Sequence, residues 1–153
     1  MKEELIAPCG MNCGLCISYL AKETQLNNKG FKKKYCDGCL PRGRHCLFMK
    51  DSCELLGRGK VRFCFECSAY PCKRLKSLDE RYKTKYHMSM TDNLETIRNH
   101  GIKNFLDKEE EKWRCPKCGG TISCHNGLCL ICDIEKLRLN RKYRWDADPC
   151  DDH

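Results

Sequence analysis

β-branched residues are scarce in this chain, with one valine (Val61), seven isoleucines and five threonines among 153 residues. So few side chains suited to a pleated surface exclude an extended sheet or a β-sandwich. No segment approaches the roughly 18 consecutive apolar residues needed to span a bilayer. The N-terminus, Met1-Lys2-Glu3-Glu4-Leu5-Ile6-Ala7-Pro8, carries no apolar run of the signal-peptide kind. A cytoplasmic protein without a membrane partner is therefore expected. Catalytic signatures are equally sparse: no Ser/His/Asp pattern, no His-Glu-x-x-His helix and no glycine-rich phosphate loop is legible. His45, His87, His100, His125 and His153 are scattered, and each alone reads as a surface residue. No catalytic residue can be assigned.

Cysteine, in contrast, is abundant. Sixteen residues, over a tenth of the chain, put the protein in the class that cysteine chemistry defines. The 41% apolar content counts them all. Without them about three residues in ten are apolar, which is thin for a single large core. In a reducing compartment disulfides are rare, and the spacing points to metal instead. Five C-x2-C pairs occur, at Cys13/Cys16, Cys36/Cys39, Cys64/Cys67, Cys115/Cys118 and Cys129/Cys132. Each sets two thiolates on one side of a tight turn, ready for one ion. The expected fold is a small metal-stapled α+β structure. It would comprise a cysteine-rich N-terminal domain with short helices (1–80), a helical connector (81–113), a C-terminal zinc ribbon (114–134), and a basic segment with an acidic tail (135–153).

The cysteine-free middle has helical periodicity. Leu75, Leu78 and Tyr82 recur after Pro71, a residue that suits the start of a helix. Ser89, Thr91 and Asp92 offer N-caps for a second helix carrying Leu94 and Ile97, and Gly101 suits its end. A third helix is expected over Ile102–Lys112, with Ile102, Phe105, Leu106 and Trp113 on its apolar side and Glu109, Glu110, Glu111 and Lys112 as a solvated end. A short helix is expected after Cys13, through Leu15, Ile17, Tyr19 and Leu20.

In the C-terminal block, Cys115-Pro116-Lys117-Cys118-Gly119-Gly120 and Cys129-Leu130-Ile131-Cys132 are paired knuckles. Glycines after the second cysteine let backbone N–H groups turn toward the sulfurs. Cys115, Cys118, Cys129 and Cys132 match a tetrahedral Zn²⁺ site with no open position. Thr121-Ile122-Ser123 can form a short strand between the knuckles. Cys124 and His125 could replace one ligand but read more simply as loop residues. Cys150 and His153 have ligand spacing in an unpromising acidic terminus.

The N-terminal block holds Cys9, Cys13, Cys16, Cys36, Cys39, Cys46, Cys53, Cys64, Cys67 and Cys72, two more than two zinc sites need. Pairing neighbours gives Cys13, Cys16, Cys36 and Cys39 in one site and Cys46, Cys53, Cys64 and Cys67 in another, leaving Cys9 and Cys72. Interleaved partitions are equally open. The surplus can be small buried hydrophobes. Alternatively, Cys9-x3-Cys13-x2-Cys16 can hold three irons of one [4Fe–4S] cluster, with Cys72 as fourth ligand.

The motifs Ala7-Pro8-Cys9-Gly10-Met11-Asn12-Cys13-Gly14-Leu15-Cys16, Cys36-Asp37-Gly38-Cys39, Phe63-Cys64-Phe65-Glu66-Cys67 and Tyr70-Pro71-Cys72 resemble a cysteine-rich bacterial and archaeal family, domain of unknown function 3795. The stretch from Leu78 to Pro116 is similar to longer members that append a ribbon. The resemblance implies a metal-binding protein and transfers no catalytic residue.

About three zinc ions and a protein partner are thus expected, with one [4Fe–4S] cluster as the alternative for the N-terminal block. A thiol enzyme using Cys9 or Cys72 is a further possibility, since Cys72 sits at a helix start before Lys73 and Arg74. Residues 136–145 combine Arg138, Arg141, Lys142, Tyr143, Arg144 and Trp145, a mixture that can neutralise phosphates and stack bases. Net charge adds little to that reading. A Zn²⁺ with four thiolates carries −2, so three such sites lower the formal +8 to about +2. Oligomeric state is not legible.

Overall fold

The structure, a computed structural model, describes residues 1–42, 53, 55, 60–140 and 145. Five α-helices occur among them: α1 (Ile17–Glu23), α2 (Lys73–Tyr86), α3 (Met90–His100), α4 (Ile102–Lys112) and α5 (Ile134–Leu139). None of the described helices is long and apolar enough to cross a membrane.

The middle helices follow the sequence closely. In α2, Leu75 and Leu78 are buried together, one helical turn apart on the same face. Of the three N-cap candidates for α3, Ser89 serves, accepting a hydrogen bond from the Asp92 N–H at 3.0 Å. Met90, Asn93, Leu94 and Ile97 then form the buried stripe of α3, spaced as one helical face requires. Gly101 ends α3 and starts α4. In α4 the solvated end begins later than expected, because Glu109 is buried beside Phe105 on the same face.

The β part of the expected α+β fold is not found. Among the described residues, strand pairing consists of three isolated bridges, Ile6 to Asn12, Arg114 to Thr121 and Ile122 to Cys129. The knuckle hairpin is too short and too tightly turned to extend them. Ser123 N–H donates to Leu128 O at 3.0 Å and Gly127 N–H returns to Ser123 O at 2.8 Å, so the chain reverses within a few residues. The described structure is helix-rich.

The principal core joins Leu5, Leu15, Leu75, Met90, Leu94 and Trp113 with Cys9, Cys13, Cys64 and Cys124. A second cluster packs Leu20, Leu26 and Phe31 against Leu128, Leu130 and Leu137. Both clusters therefore draw on the two ends of the sequence. The N-terminal motif is keyed into the helices by two residues. Gly10 has φ +91°, and a Cβ there would lie 2.5 Å from the Met90 carbonyl oxygen. Its own carbonyl accepts from Asn93 Nδ2 at 2.9 Å. Asn12 is fully buried. Its Oδ1 accepts from Gly14 N–H at 3.0 Å, and its Nδ2 donates to Glu109 Oε2 at 3.1 Å. Burial pushes the Glu109 carboxyl up, and the Asn12 hydrogen bond partly offsets that.

Asp79 ties α2 to the start of α3. It accepts from Ser89 Oγ at 2.8 Å, Thr91 Oγ1 at 2.8 Å and Thr91 N–H at 3.2 Å, and pairs with Lys83. Burial opposes its charge, but the Thr91 and Ser89 hydrogen bonds outweigh it and hold the carboxyl below its ordinary range.

Two outcomes are expected in urea unfolding. Gly10→Ala costs more than the ~1–2 kcal/mol of left-handed strain alone, because α3 blocks the added carbon; a smaller loss would show that the loop can withdraw. A depressed carboxyl stabilises the fold above the unfolded-state value, ~3.9, and that contribution disappears as pH falls through the lower folded value. Asp79→Asn should therefore destabilise at neutral pH by on the order of 2 kcal/mol and flatten the acid limb. A variant as stable and as pH-dependent as the parent would contradict this.

Candidate metal centre

Two knuckles build the C-terminal site. In the first, Cys115 N–H donates to Gly120 O at 2.7 Å and Gly119 N–H to Cys115 O at 2.9 Å, closing a turn. Gly119 takes φ +75° to complete it. Gly120 N–H then points at Cys118 Sγ, 3.4 Å away. In the second knuckle Asp133 Oδ2 accepts from Cys129 N–H at 2.9 Å. Asp133 N–H returns to Cys129 O at 2.8 Å, and the chain enters α5.

Together the turns bring Cys115, Cys118, Cys129 and Cys132 to one point. Their four Sγ atoms lie within 4.8 Å of one another, a group able to hold a metal ion. Cys118 and Cys129 sulfurs are 3.6 Å apart, and those of Cys115 and Cys132 are 3.9 Å apart. A tetrahedron with metal–sulfur bonds of ~2.3 Å has edges of about 3.8 Å, so the donors already stand at ligand spacing. Electrostatics favour the same conclusion. The N–H groups of Cys118 and Lys117 bring the Cys115 thiol down to about 7. Burial pushes Cys129 up, and hydrogen bonding with Cys118, then burial, pushes Cys132 up to about 12. The Cys115 thiolate forms readily, while Cys129 and Cys132 resist ionisation until a cation joins them.

Cys124 and His125 stand outside this group. They seat the hairpin on the N-terminal block. Cys124 is fully buried, and its N–H donates to Leu15 O at 3.0 Å. Burial pushes its thiol well up, which suits an inert packing residue. His125 Nδ1 accepts from Ile17 N–H at 3.3 Å, and its Nε2 lies 3.4 Å from Tyr82 Oη. A groove of about 580 Å³ runs between the parts, from Lys2 and Tyr19 to Gly119, Gly120 and Ile131.

The N-terminal cysteines gather more loosely, and no second group of three ligand atoms within 4.8 Å of one another occurs among the described residues. Cys39 N–H donates to Cys13 Sγ at 3.5 Å. Their sulfurs are close enough that Cys39, with burial, pushes the Cys13 thiol up. Burial, with the charges of Cys36 and Cys39, does the same to Cys16. Cys36 Sγ accepts from Arg42 Nη1 at 3.3 Å and Gly38 N–H at 3.4 Å. Cys72 lines a small cavity with Cys53, Cys64 and Cys67. Cys9 is buried in the core. Cys46, Cys150, His45, His153, residues 141–144 and the acidic tail lie outside the described residues.

Two members of the basic, aromatic segment are engaged internally. Arg138 donates to Lys29 O at 3.0 Å and to Glu135, and lies over Phe31. Trp145 Nε1 donates to Cys124 O at 2.7 Å, and the indole covers Gly127.

Metal loading must expel thiol protons. Affinity for Zn²⁺, read against a chromophoric chelator, is therefore expected to rise with pH. Cys118→Ser should weaken it beyond the 10–100-fold typical of outer-shell changes; a smaller loss would show that another residue completes the site.

Residues 5–77 match the family described as Protein of unknown function (DUF3795). No curated protein and no solved structure matches the chain. The matched span runs from Leu5 through Cys72 to Ser77 and stops before the four-cysteine centre. The match covers 73 of the 153 residues, so it is the N-terminal part of the chain that is similar to this family of unknown function.

Proposed function

We propose that this chain is a zinc-binding structural and interaction module of the cytoplasm, its C-terminal hairpin a zinc ribbon closed around one ion. The observation that carries the reading is the sulfur spacing at Cys115, Cys118, Cys129 and Cys132, 3.6 Å between Cys118 and Cys129 and 3.9 Å between Cys115 and Cys132. Four thiolates with no open position belong to structural zinc, not to a catalytic site. A [4Fe–4S] cluster places each cysteine on a separate iron and so needs wider spacing. Cys13, Cys16, Cys36 and Cys39 form the next thiolate neighbourhood, with Arg42 at its edge, and take a second ion.

The ion's role follows from the thin core. Leu128 and Leu130 flank Cys129 and complete the cluster around Leu20, Leu26 and Phe31. Zinc holds these side chains in register where the hairpin alone could not. The module's partner is a protein. Nucleic acid is the weaker reading, because Arg138 and Trp145 are already committed to intramolecular contacts.

Metal analysis of protein purified without oxygen, with a visible spectrum, tests the proposal. A colourless preparation that contains zinc and loses helicity on chelation is expected. A brown preparation with a broad band near ~400 nm, the signature of iron–sulfur charge transfer, would overturn it.

A further inference from the structure

We propose that Cys53, Cys64, Cys67 and Cys72 form another four-thiolate centre, one that takes a single soft divalent ion such as zinc. The proposal rests on reading the chain as a thiolate zinc protein and assigns ligands within the N-terminal block. It departs from neighbour pairing, which would take Cys46 with Cys53, Cys64 and Cys67 and leave Cys72 over.

Four observations converge on these residues. First, all four line one cavity of about 30 Å³, whose other walls are Val61, Tyr70 and Leu75. A single water needs ~10–15 Å³, so the space has room for one ion. The walls beside the thiols are largely apolar, which strengthens attraction between cation and thiolate. Second, Cys64 and Cys67 sit on a turn of the same kind as the C-terminal knuckle. Ala69 N–H points at Cys67 Sγ at 3.4 Å, two residues on; Gly120 N–H points at Cys118 Sγ at the same distance and offset. Such N–H groups soften thiolate charge around a metal. Third, the turn is fixed from outside. Glu66 Oε2 accepts from the N–H groups of Phe63 and Arg62 at 2.6 and 2.8 Å, and Cys64 N–H donates to Pro8 O at 2.9 Å. Tyr70 Oη donates to Glu95 on α3 at 2.9 Å. Fourth, Cys72 is the N-cap residue of the fourteen-residue helix α2, where the helix dipole favours an anionic ligand set.

The sulfurs stand farther apart than at the C-terminal centre, since no three of them fall within 4.8 Å of one another. Binding therefore includes a contraction of the cavity. Each bound ion displaces thiol protons to solvent and leaves a centre of charge −2. The product is a cross-link joining Cys53 and the knuckle to the start of α2.

The test uses the full chain loaded with Zn²⁺, analysed by metal content and native mass spectrometry. Cys67→Ser/Cys72→Ser is expected to hold about one zinc fewer than the parent, and Cys118→Ser independently to lose another. If Cys118→Ser loses zinc while the double variant binds as much as the parent, the new centre is wrong and the proposed function stands. A parent chain that binds no zinc overturns both. Where the double variant fails to fold, alkylation of the parent decides. Cys53, Cys64, Cys67 and Cys72 should be protected together by zinc and released together by chelator. Alkylation of Cys53 or Cys72 at one rate in both states would overturn the assignment.

Discussion

Four sulfurs within 4.8 Å of one another cannot all carry charge unless a cation sits between them. That requirement organises the C-terminal third of the chain. The knuckle turns, the left-handed Gly119 and the Asp133 bridge all hold the sulfurs close, at a cost in mutual repulsion that a bound ion reverses. What an ion held there would secure is hydrophobic. Leu128 and Leu130 emerge from the hairpin into the cluster that buries α1 and Phe31. The ligand group and the core are thus two sides of one hairpin, and neither is complete alone.

The N-terminal block meets the same shortage of apolar residues differently. Its motif is threaded into the helices by polar contacts at near-zero exposure. Asn12 satisfies the turn at Gly14 and reaches Glu109 on α4, while Gly10 lets the backbone touch α3. Buried polar groups of this kind are costly unless every bond is made. They specify one docking geometry where a few leucines would tolerate several. The Cys9–Cys16 motif is in this sense a packing device.

Much of this was legible in the residues. Leu75 and Leu78, the Ser89 cap and Gly101 mark the three middle helices by local rules, and local rules need no tertiary information. The convergence of the four C-terminal cysteines was legible because two short-range pairs suffice to define it. The pairing of the ten N-terminal cysteines was not, because it depends on which turns the fold brings together. The missing strand has a similar origin: Thr121 and Ile122 have strand character, but the neighbouring knuckles leave room for single bridges only. Glu109, read as the start of a solvated run, is buried because Asn12, nearly a hundred residues earlier, supplies its partner. Cys124 and His125 looked like loop residues for the same reason; their partners Leu15, Ile17 and Tyr82 are remote in sequence.

Trp145 carries one more consequence. It returns across the hairpin to cover Gly127, with its ring centroid 6.1 Å from that of Trp113 and 4.3 Å from that of His87. These are the only two tryptophans in the chain. Trp113 closes α4 two residues before the first ligand cysteine, and Trp145 is hydrogen-bonded to the carbonyl of Cys124 within the hairpin. All of the protein's indole fluorescence therefore originates beside the four-cysteine hairpin, next to a histidine able to quench it. The molecule carries its own optical gauge of the junction where the hairpin meets the principal core and the end of α2.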